Sequence, residues 1–210
     1  MSIALIGQST MKRMLQGAAA LLEKNADYLT EIDSRTGDGD HGVTMLKIAK
    51  LIQERTSGWE GGVGIHDFLE GLGAAVMEIK GGSAGPLYGT LIGGLGAQVR
   101  PEEAELDAEG AKRMLSGCLA EMRDVTPAKV GDKTMMDALI PAAEAGQAAE
   151  GDPRAVWQAA ARAAEEGAKA TENYAAKFGR AKNYKERTIG TPDAGALSTS
   201  LFLRGMADGV

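Results

Sequence analysis

Apolar residues along this chain recur mainly at the three- and four-residue spacing of a helix, and strand-like alternation is almost absent. The pattern predicts an all-α protein with eight helices. The sequence shows no internal repeat. The acidic segment 101–109 is predicted to be a solvated loop, and residues 179–195 are predicted to be a non-helical insert. The eight predicted helices cover approximately residues 5–31, 43–52, 65–79, 86–99, 108–122, 134–149, 153–176 and 195–206.

Glycines lie inside several of these predicted helices, for example at Gly71, Gly73 and Gly93. Because glycine lowers helix stability by about 1 kcal/mol relative to alanine, we expect close helix–helix packing to offset the loss. Only 4% of the residues are aromatic, so the core must be built from aliphatic side chains and methionine. The predicted organisation is therefore one tightly packed domain over residues 1–210.

The charge and cysteine content exclude several classes of protein. The formal net charge is −6 and no tract of lysine or arginine stands out, so nucleic acid is not an expected partner. The longest apolar runs are too short for a membrane span, and no signal peptide is recognisable. The single cysteine, Cys118, excludes a disulfide framework and is expected to be a buried, inert thiol. We expect a cytoplasmic protein.

Three aspartates, Asp33, Asp38 and Asp40, fall within eight positions and are interleaved with glycines. Carboxylates this close repel one another unless a cation lies between them, and oxygen ligands favour Mg²⁺ or Ca²⁺ over Zn²⁺. An EF-hand is excluded because its twelfth position, counted from Asp38, would be Ala49 instead of glutamate. A metal held by few carboxylates usually takes phosphate as a further ligand, which favours a nucleotide site. An ordinary polar turn is the alternative.

A glycine-rich loop at residues 80–85 opens a helix in which Pro86 is the predicted first residue. The free N–H groups of a helix start suit phosphate, although a plain helix connection fits the same residues. The loop matches neither a P-loop nor a dinucleotide-binding fingerprint. In the insert 179–195, Arg180 and Arg187 are candidates for phosphate or base contacts, or are simply solvated.

Residues 130–137 form a further candidate stretch at a helix start. Either Asp132 or Thr134 is expected to cap this helix, and Met135 is placed to lie against an adenine ring. His41 follows the aspartate cluster directly, where it can cap a helix, bind phosphate or orient an aspartate.

Taken in order, the four stretches resemble the L subunit of bacterial dihydroxyacetone kinase, and the resemblance covers essentially the whole chain. It implies eight antiparallel helices arranged as a barrel, with a nucleotide bound at one end by the loops. The motifs that carry it are Gly-Asp-Gly-Asp-His-Gly, Gly-Gly-Ser-Ala-Gly-Pro-Leu-Tyr-Gly, Gly-Asp-Lys-Thr-Met-x-Asp and Gly-Arg-Ala…Glu-Arg-Thr-Ile-Gly…Asp-x-Gly-Ala.

The resemblance also implies roles for individual residues. Asp33, Asp38 and Asp40 match aspartates that hold two Mg²⁺ ions, and the implied nucleotide is ADP or ATP. No side chain matches a catalytic nucleophile, so phosphoryl transfer would be assisted by the metals. The residues that match nucleotide contacts are His41, Gly42, Val43, Thr44, Ser83, Ala84, Thr126, Met135, Arg180, Asp193, Ala194 and Gly195.

The implied activity is that of a phosphotransferase subunit in glycerol metabolism. Such a subunit relays a phosphoryl group through the Mg-bound nucleotide to dihydroxyacetone, which a separate K subunit holds. We expect the phosphoenolpyruvate-dependent type, in which a phosphotransferase-system M subunit recharges bound ADP, and we expect negligible activity of the isolated chain. The alternatives are a subunit of an ATP-dependent kinase for another ketose or sugar alcohol, and a nucleotide-loaded regulatory module. A regulatory protein partner and a homodimer are left open.

Overall fold

The computed structural model describes residues 5–210, and this part of the chain is almost entirely helical. It contains nine α-helices, so the prediction of an all-α fold is confirmed. Two two-residue strands, β1 (Ile6–Gly7) and β2 (Glu105–Leu106), form a small sheet, and Thr171–Asn173 and Ala181–Thr188 are 3₁₀-helical. The α-helices are α1 (Gln8–Lys24), α2 (Ala26–Asp33), α3 (His41–Ser57), α4 (Ile65–Met77), α5 (Ala84–Ala97), α6 (Ala108–Val125), α7 (Met136–Ala148), α8 (Pro153–Ala170) and α9 (Ala194–Asp208).

The first predicted helix is in fact two helices, because the chain bends at Asn25. The backbone of Asn25 leaves the helical region, with φ −105° and ψ 7°, and its Nδ2 donates a hydrogen bond to Leu21 O at 2.8 Å. Asparagine competes with the helical hydrogen-bond pattern through such local bonds. The prediction of one helix over 5–31 is therefore wrong, since α2 starts anew and runs to Asp33.

The prediction of a solvated loop over 101–109 is wrong at its centre. Strand β2 pairs antiparallel with β1, with Ile6 opposite Leu106, and both of these side chains are buried. A strand of two residues has no periodicity that a sequence pattern can reveal, and its partner lies about a hundred positions away.

Several helix boundaries also differ from the predictions. Helix α5 begins at Ala84, so Pro86 is its third residue instead of its first. Proline is tolerated there because the first-turn N–H groups have no partner within the helix. The seventh predicted helix stops at Ala170, and the insert 179–195 contains a 3₁₀ segment, interrupted at Lys185 where φ is +49°. Such short segments are set by tertiary contacts more than by sequence pattern.

Helices α4 to α9 each pack against their neighbours in the chain. Helix α1 packs along both α9 and α3, and α3 also contacts α4 and α5, so the helices form a closed circuit. Glycines let the helices approach closely. A Cβ on Gly17 or Gly205 would overlap the facing backbone of α9 or α1, and Gly73 and Gly89 stand in the same relation between α4 and α5. The predicted close packing is confirmed at these positions, whereas a Cβ on Gly71 would meet open space.

The core is continuous and is built, as expected, largely from aliphatic side chains and methionine. Trp157, Tyr88 and Phe202 are its largest fully buried side chains, and the rings of Tyr88 and Phe202 meet edge to face at 6.2 Å. Cys118 is fully buried, and burial raises the pKa of its thiol, as expected for an inert cysteine. Within residues 5–210, the helices are all too short or too polar to cross a bilayer.

One end of the circuit collects the beginnings of α3, α5, α7 and α9 and the end of α2. These are every second helix from α3 onward, which is the arrangement expected when successive helices run antiparallel. The residues at these helix ends include Asp33, His41, Ala84, Met135 and Ala194, and all of them line one cleft.

Candidate functional site

The cleft has a volume of about 470 Å³ and lies among four helix N-termini. A helix start carries backbone N–H groups without helical partners and a partial positive charge, and both attract anions. The N-cap residues of α3, α5 and α7 make no side-chain capping hydrogen bond. The cleft therefore presents several backbone donors to whatever occupies it.

Asp33, Asp38 and Asp40 come together at this cleft. One carboxylate oxygen from each residue lies within 4.8 Å of the others. Asp33 ends α2 and Asp40 directly precedes α3, and the short loop between them closes because Gly39 adopts φ +73°. A Cβ at Gly37 would overlap the carboxylate of Asp33. Three convergent carboxylate oxygens of this kind suit a hard divalent cation.

The electrostatics of the cluster point the same way. Burial raises the pKa of Asp40, and the neighbouring carboxylates of Asp38 and Asp33 raise it further, while Arg180 lowers it. Arg180 forms an ion pair with Asp38. A single guanidinium thus offsets part of the negative charge of the cluster, and a bound cation would offset more of it.

His41 is held by hydrogen bonds on the cleft wall. Its Nε2 lies 2.8 Å from Ser198 Oγ, and Ser198 Oγ donates its one proton to Gly195 O at 3.1 Å. The Ser198 hydroxyl thus links the imidazole to Gly195 O and holds the ring against the start of α9. Burial lowers the pKa of His41, with the charge of Asp33 opposing this effect, so the neutral ring is favoured.

The glycine-rich loop passes close to the aspartate cluster before α5 begins. Gly82 has φ +50°, and a Cβ there would lie 3.7 Å from the Asp40 carboxylate. Ser83 and Ala84 follow it and line the cleft. The loop therefore brings the first N–H groups of α5 next to the predicted metal ligands.

The loop before α7 is braced by two buried aspartates. Asp137 accepts hydrogen bonds from Gly131 N at 2.6 Å and Thr134 N at 2.7 Å, and burial raises the pKa of this carboxyl. The N-cap of α7 is Met135, and Thr134, one residue before it, accepts a hydrogen bond from Met136 N on its Oγ1 at 3.2 Å. The alternative that Asp132 caps this helix is wrong, because its carboxylate instead accepts hydrogen bonds from Lys129 N and Lys177 Nζ.

Asp132 joins two segments whose next residues, Lys133 and Phe178, both line the cleft. Its Oδ2 accepts from Lys129 N at 2.9 Å, and its Oδ1 accepts from Lys177 Nζ at 2.7 Å. Burial acts to raise the pKa of Asp132, but the hydrogen bonds from Lys177 and Lys129 outweigh it and lower the pKa. Asp132 therefore remains ionised and ties residue 177 to the loop before α7.

Most of the residues predicted for the site do lie on the cleft. The predicted residues that line it are Asp33, Asp38, Asp40, His41, Ser83, Ala84, Met135, Arg180, Asp193, Ala194 and Gly195. Four others lie outside its lining. Gly42 and Thr44 are buried where α3 meets its neighbours, Val43 is half exposed, and Thr126 follows α6, where its Oγ1 accepts from Ala128 N at 3.2 Å.

Sequence reasoning missed Lys133, Ser198 and Thr191 as parts of the site. Lys133 and Thr191 line the cleft, and Ser198 binds His41 from one turn inside α9. The unusual backbone of Lys133, with φ +60°, leaves no mark in the residue pattern. For Ser198, the available signal was a polar residue one turn after the Asp-x-Gly motif.

Known proteins resemble this chain in both sequence and structure. The model of the DAK2 domain family matches residues 35–208. The ADP-binding subunit DhaL of a PEP-dependent dihydroxyacetone kinase from Listeria innocua is 34% identical, over 97% of this chain and 95% of that subunit. D-erythrulose kinase from Mycolicibacterium smegmatis is 35% identical, over 96% of this chain, but this chain spans about a third (35%) of its length.

The same fold is found in the solved dihydroxyacetone kinase from C. freundii in complex with AMP-PNP and Mg²⁺. The TM-score is 0.74 at 22% identity, and the superposition covers 100% of this chain and 35% of that one. The match to the family model and the identity to the Listeria subunit over nearly all of both chains together show that this chain belongs to the DAK2 domain family.

Proposed function

We propose that this chain is the nucleotide-binding subunit of a dihydroxyacetone kinase. In this proposal the cleft holds ADP or ATP with two Mg²⁺ ions and relays a phosphoryl group to dihydroxyacetone carried by a separate K subunit. The observation that carries the proposal is the convergence of Asp33, Asp38 and Asp40 within 4.8 Å of one another at a cleft bordered by four helix starts.

The residues present fit a magnesium-bound nucleotide. Asp33, Asp38 and Asp40 offer the carboxylate oxygens that Mg²⁺ prefers. The pKa of Asp40 is raised first by burial and then by repulsion from Asp38 and Asp33, and a cation would relieve that repulsion. When bound, Mg²⁺ supplies charge neutralisation on phosphate oxygens and holds them in line for transfer.

The chain's own groups bind and orient the nucleotide in this proposal. The backbone N–H groups at Ser83 and Ala84 face phosphate oxygens from the start of α5. Arg180 can exchange its partner Asp38 for a phosphate once a cation occupies the aspartate cluster. The neutral ring of His41 acts as a fixed hydrogen-bonding group, and Met135 provides an apolar surface for a base.

The acceptor, the donor and the partners are proposed from the relatives. The name of the Listeria subunit supports bound ADP and a phosphoenolpyruvate-dependent enzyme, which would take its phosphoryl group from an M subunit of the phosphotransferase system. We propose that the isolated chain does not phosphorylate dihydroxyacetone, because it supplies the nucleotide but not the acceptor. Turnover by the pure chain would contradict this part of the proposal.

The surface around the cleft supports docking of such partners. Val43, Tyr184 and Ile189 are among the large apolar side chains that are exposed to solvent. Each is next to, or within a few residues of, a residue that lines the cleft. Exposed apolar side chains near a binding site favour protein–protein contacts.

Native mass spectrometry and calorimetry test the proposal. We expect the wild-type chain to bind Mg–ADP, and Asp38→Asn and Asp40→Asn to weaken the binding by about 100-fold because the metal loses a charged ligand. Asp27→Asn, an exposed aspartate on the same α2 helix as Asp33, is the matched control and should bind as the wild type does. A wild-type chain that ignores Mg–ADP, or a control that loses binding equally, would overturn the proposal.

A further inference from the structure

The side chain of Lys133 is buried between two stretches of main chain. The residue is 5% exposed, and Nζ donates hydrogen bonds to Thr171 O and Thr191 O, each at 2.5 Å. A buried ammonium is stable only when its N–H groups are bound. Here main-chain carbonyls do this, so the ammonium joins two parts of the backbone.

The backbone of Lys133 is itself in an uncommon conformation. Its φ is +60°, in the left-handed region that a lysine rarely adopts. Such a conformation persists where the surrounding contacts determine it. Burial lowers the pKa of Lys133, and the carboxylates of Asp193 and Asp137 oppose this shift.

The two carbonyls that Lys133 binds stand at the two ends of residues 172–190, which we call the strap. The ends of the strap are also joined to each other, since Gly190 N donates to Glu172 O at 2.7 Å and Ala176 N donates to Thr188 Oγ1 at 2.9 Å. Lys133 therefore binds the chain where it enters the strap and where it leaves it.

The strap and its two ends carry cleft residues. Arg180 lies within the strap and pairs with Asp38 of the aspartate cluster. Thr171 accepts a hydrogen bond from Asp193 N at 2.8 Å, and Asp193 in turn caps α9. The same clamp thus fixes one cleft residue on the strap and another just beyond it.

We propose that Lys133 is a positioning residue that closes the base of the strap, and so keeps Arg180 and Asp193 against a bound nucleotide. The consequence for nucleotide retention rests on the proposed function, whereas the clamp on the strap does not. Loss of the ammonium should let the strap open more often, because Thr171 O and Thr191 O lose the donor that joins them.

Three substitutions separate the ammonium from the backbone. Lys133→Met removes the donors and keeps the length of the side chain, and Lys133→Arg keeps both charge and donors. Lys133→Gly removes the donors but relieves the cost of φ +60°. Lys169→Met, at an exposed lysine two residues before Thr171, is the matched control.

Hydrogen exchange of the nucleotide-free chain and stopped-flow release of Mg–ADP are the measurements. In Lys133→Met and Lys133→Gly we expect exchange of the amides in 172–190 to be about tenfold faster, with core amides unchanged, and Mg–ADP release to be about tenfold faster. Lys133→Arg should restore both rates to within about threefold of wild type, and Lys169→Met should leave them unchanged.

Wild-type strap exchange in Lys133→Met, or a uniform rise of exchange over the whole chain, would overturn the proposal. A Lys133→Gly variant with wild-type strap exchange and wild-type Mg–ADP release would also overturn it. The strap would then stay closed without the ammonium, once the strain at φ +60° is relieved. If the methionine variant does not fold, Lys133→Gln replaces it, since glutamine keeps two N–H donors but has no charge. Amide exchange in the strap should then be faster in Lys133→Gln than in Lys133→Arg. Equal exchange rates in these two variants would overturn the clamp. Fast strap exchange with no Mg–ADP binding by the wild type refutes the proposed function alone.

Discussion

At the scale of single residues, Asp193 combines a helix cap with a carboxyl whose pKa is raised. Its Oδ2 accepts from Ala196 N at 2.8 Å, which satisfies one free donor at the start of α9. Burial nevertheless raises the pKa of Asp193 to about 6, although the bond from Ala196 N and the charge of Lys133 oppose the shift. The capping carboxyl of Asp193 therefore titrates in the weakly acidic pH range.

This titration predicts how stability depends on pH. A carboxyl whose pKa is higher in the folded chain binds its proton first in the folded state, so its contribution favours folding below about pH 4 and is lost as pH rises through about 6. Asp193→Asn keeps an oxygen that can accept the capping hydrogen bond but removes the titratable carboxyl group. Between pH 4 and 6 we expect the free energy of unfolding of the nucleotide-free wild type to fall relative to this variant by up to about 1.4 kcal/mol per pH unit.

Chemical denaturation at a series of pH values measures this difference. Asp152→Asn, at the exposed cap of α8, gives the cost of the same replacement at a helix start away from the cleft. Parallel pH profiles for wild type and Asp193→Asn would show that the carboxyl does not titrate in this range.

At the scale of helices, the cleft depends on how closely α2 and α3 approach. Gly42, in the first turn of α3, lies against α2, and a Cβ there would overlap Ala26 O and Thr30 Oγ1. The aspartates Asp33 and Asp40 lie at the facing ends of these two helices. The spacing of the aspartate cluster is thus coupled to the packing of a glycine, which adds a packing role to the nucleotide contact predicted for Gly42.

Gly42→Ala should therefore destabilise the chain by roughly 1–3 kcal/mol, since overlap with α2 outweighs the gain in helix propensity of about 1 kcal/mol. It should also weaken Mg–ADP binding by moving Asp33 away from Asp40. Gly71→Ala in α4 is the matched control, because its Cβ would meet open space, and it should stabilise the chain by about 0.5–1 kcal/mol. Denaturation and calorimetry of both variants check this, and equal stabilities would contradict it.

At the scale of the whole molecule, the contact between α1 and α9 joins the first helix of the circuit to the last. The two helices meet at Gly17 and Gly205, and a Cβ on Gly205 would overlap the backbone of Ala18. This contact has the longest sequence separation of the helix pairs, so it carries the largest loop-closure entropy cost among them.

Gly205→Ala should lower the free energy of unfolding by roughly 1–3 kcal/mol, because α1 and α9 must move apart. Gly93→Ala in α5, whose Cβ would make an ordinary contact at 3.9 Å with Gly73, should be neutral or slightly stabilising. Urea denaturation followed by circular dichroism compares the two. If Gly205→Ala is as stable as the wild type, the contact between α1 and α9 accommodates a methyl group and the prediction is wrong.

Much of the fold was determined by the sequence alone. Helical spacing of apolar residues gave the all-α class, and glycine-spaced aspartates gave the convergence of Asp33, Asp38 and Asp40. Both are local properties, since helix periodicity and a tight turn involve residues only a few positions apart. The resemblance to a family also predicted Arg180 and Asp193 as residues of the site.

The tertiary structure decided what local patterns cannot contain. The pairing of Ile6 with Leu106 and the burial of Lys133 between Thr171 and Thr191 both depend on partners that are distant in the sequence. The same holds for the meeting of four helix starts at one cleft. Hydrophobic periodicity indicates which face of a helix is buried. It does not indicate which helix covers that face, and so it cannot show which residues meet at the helix ends.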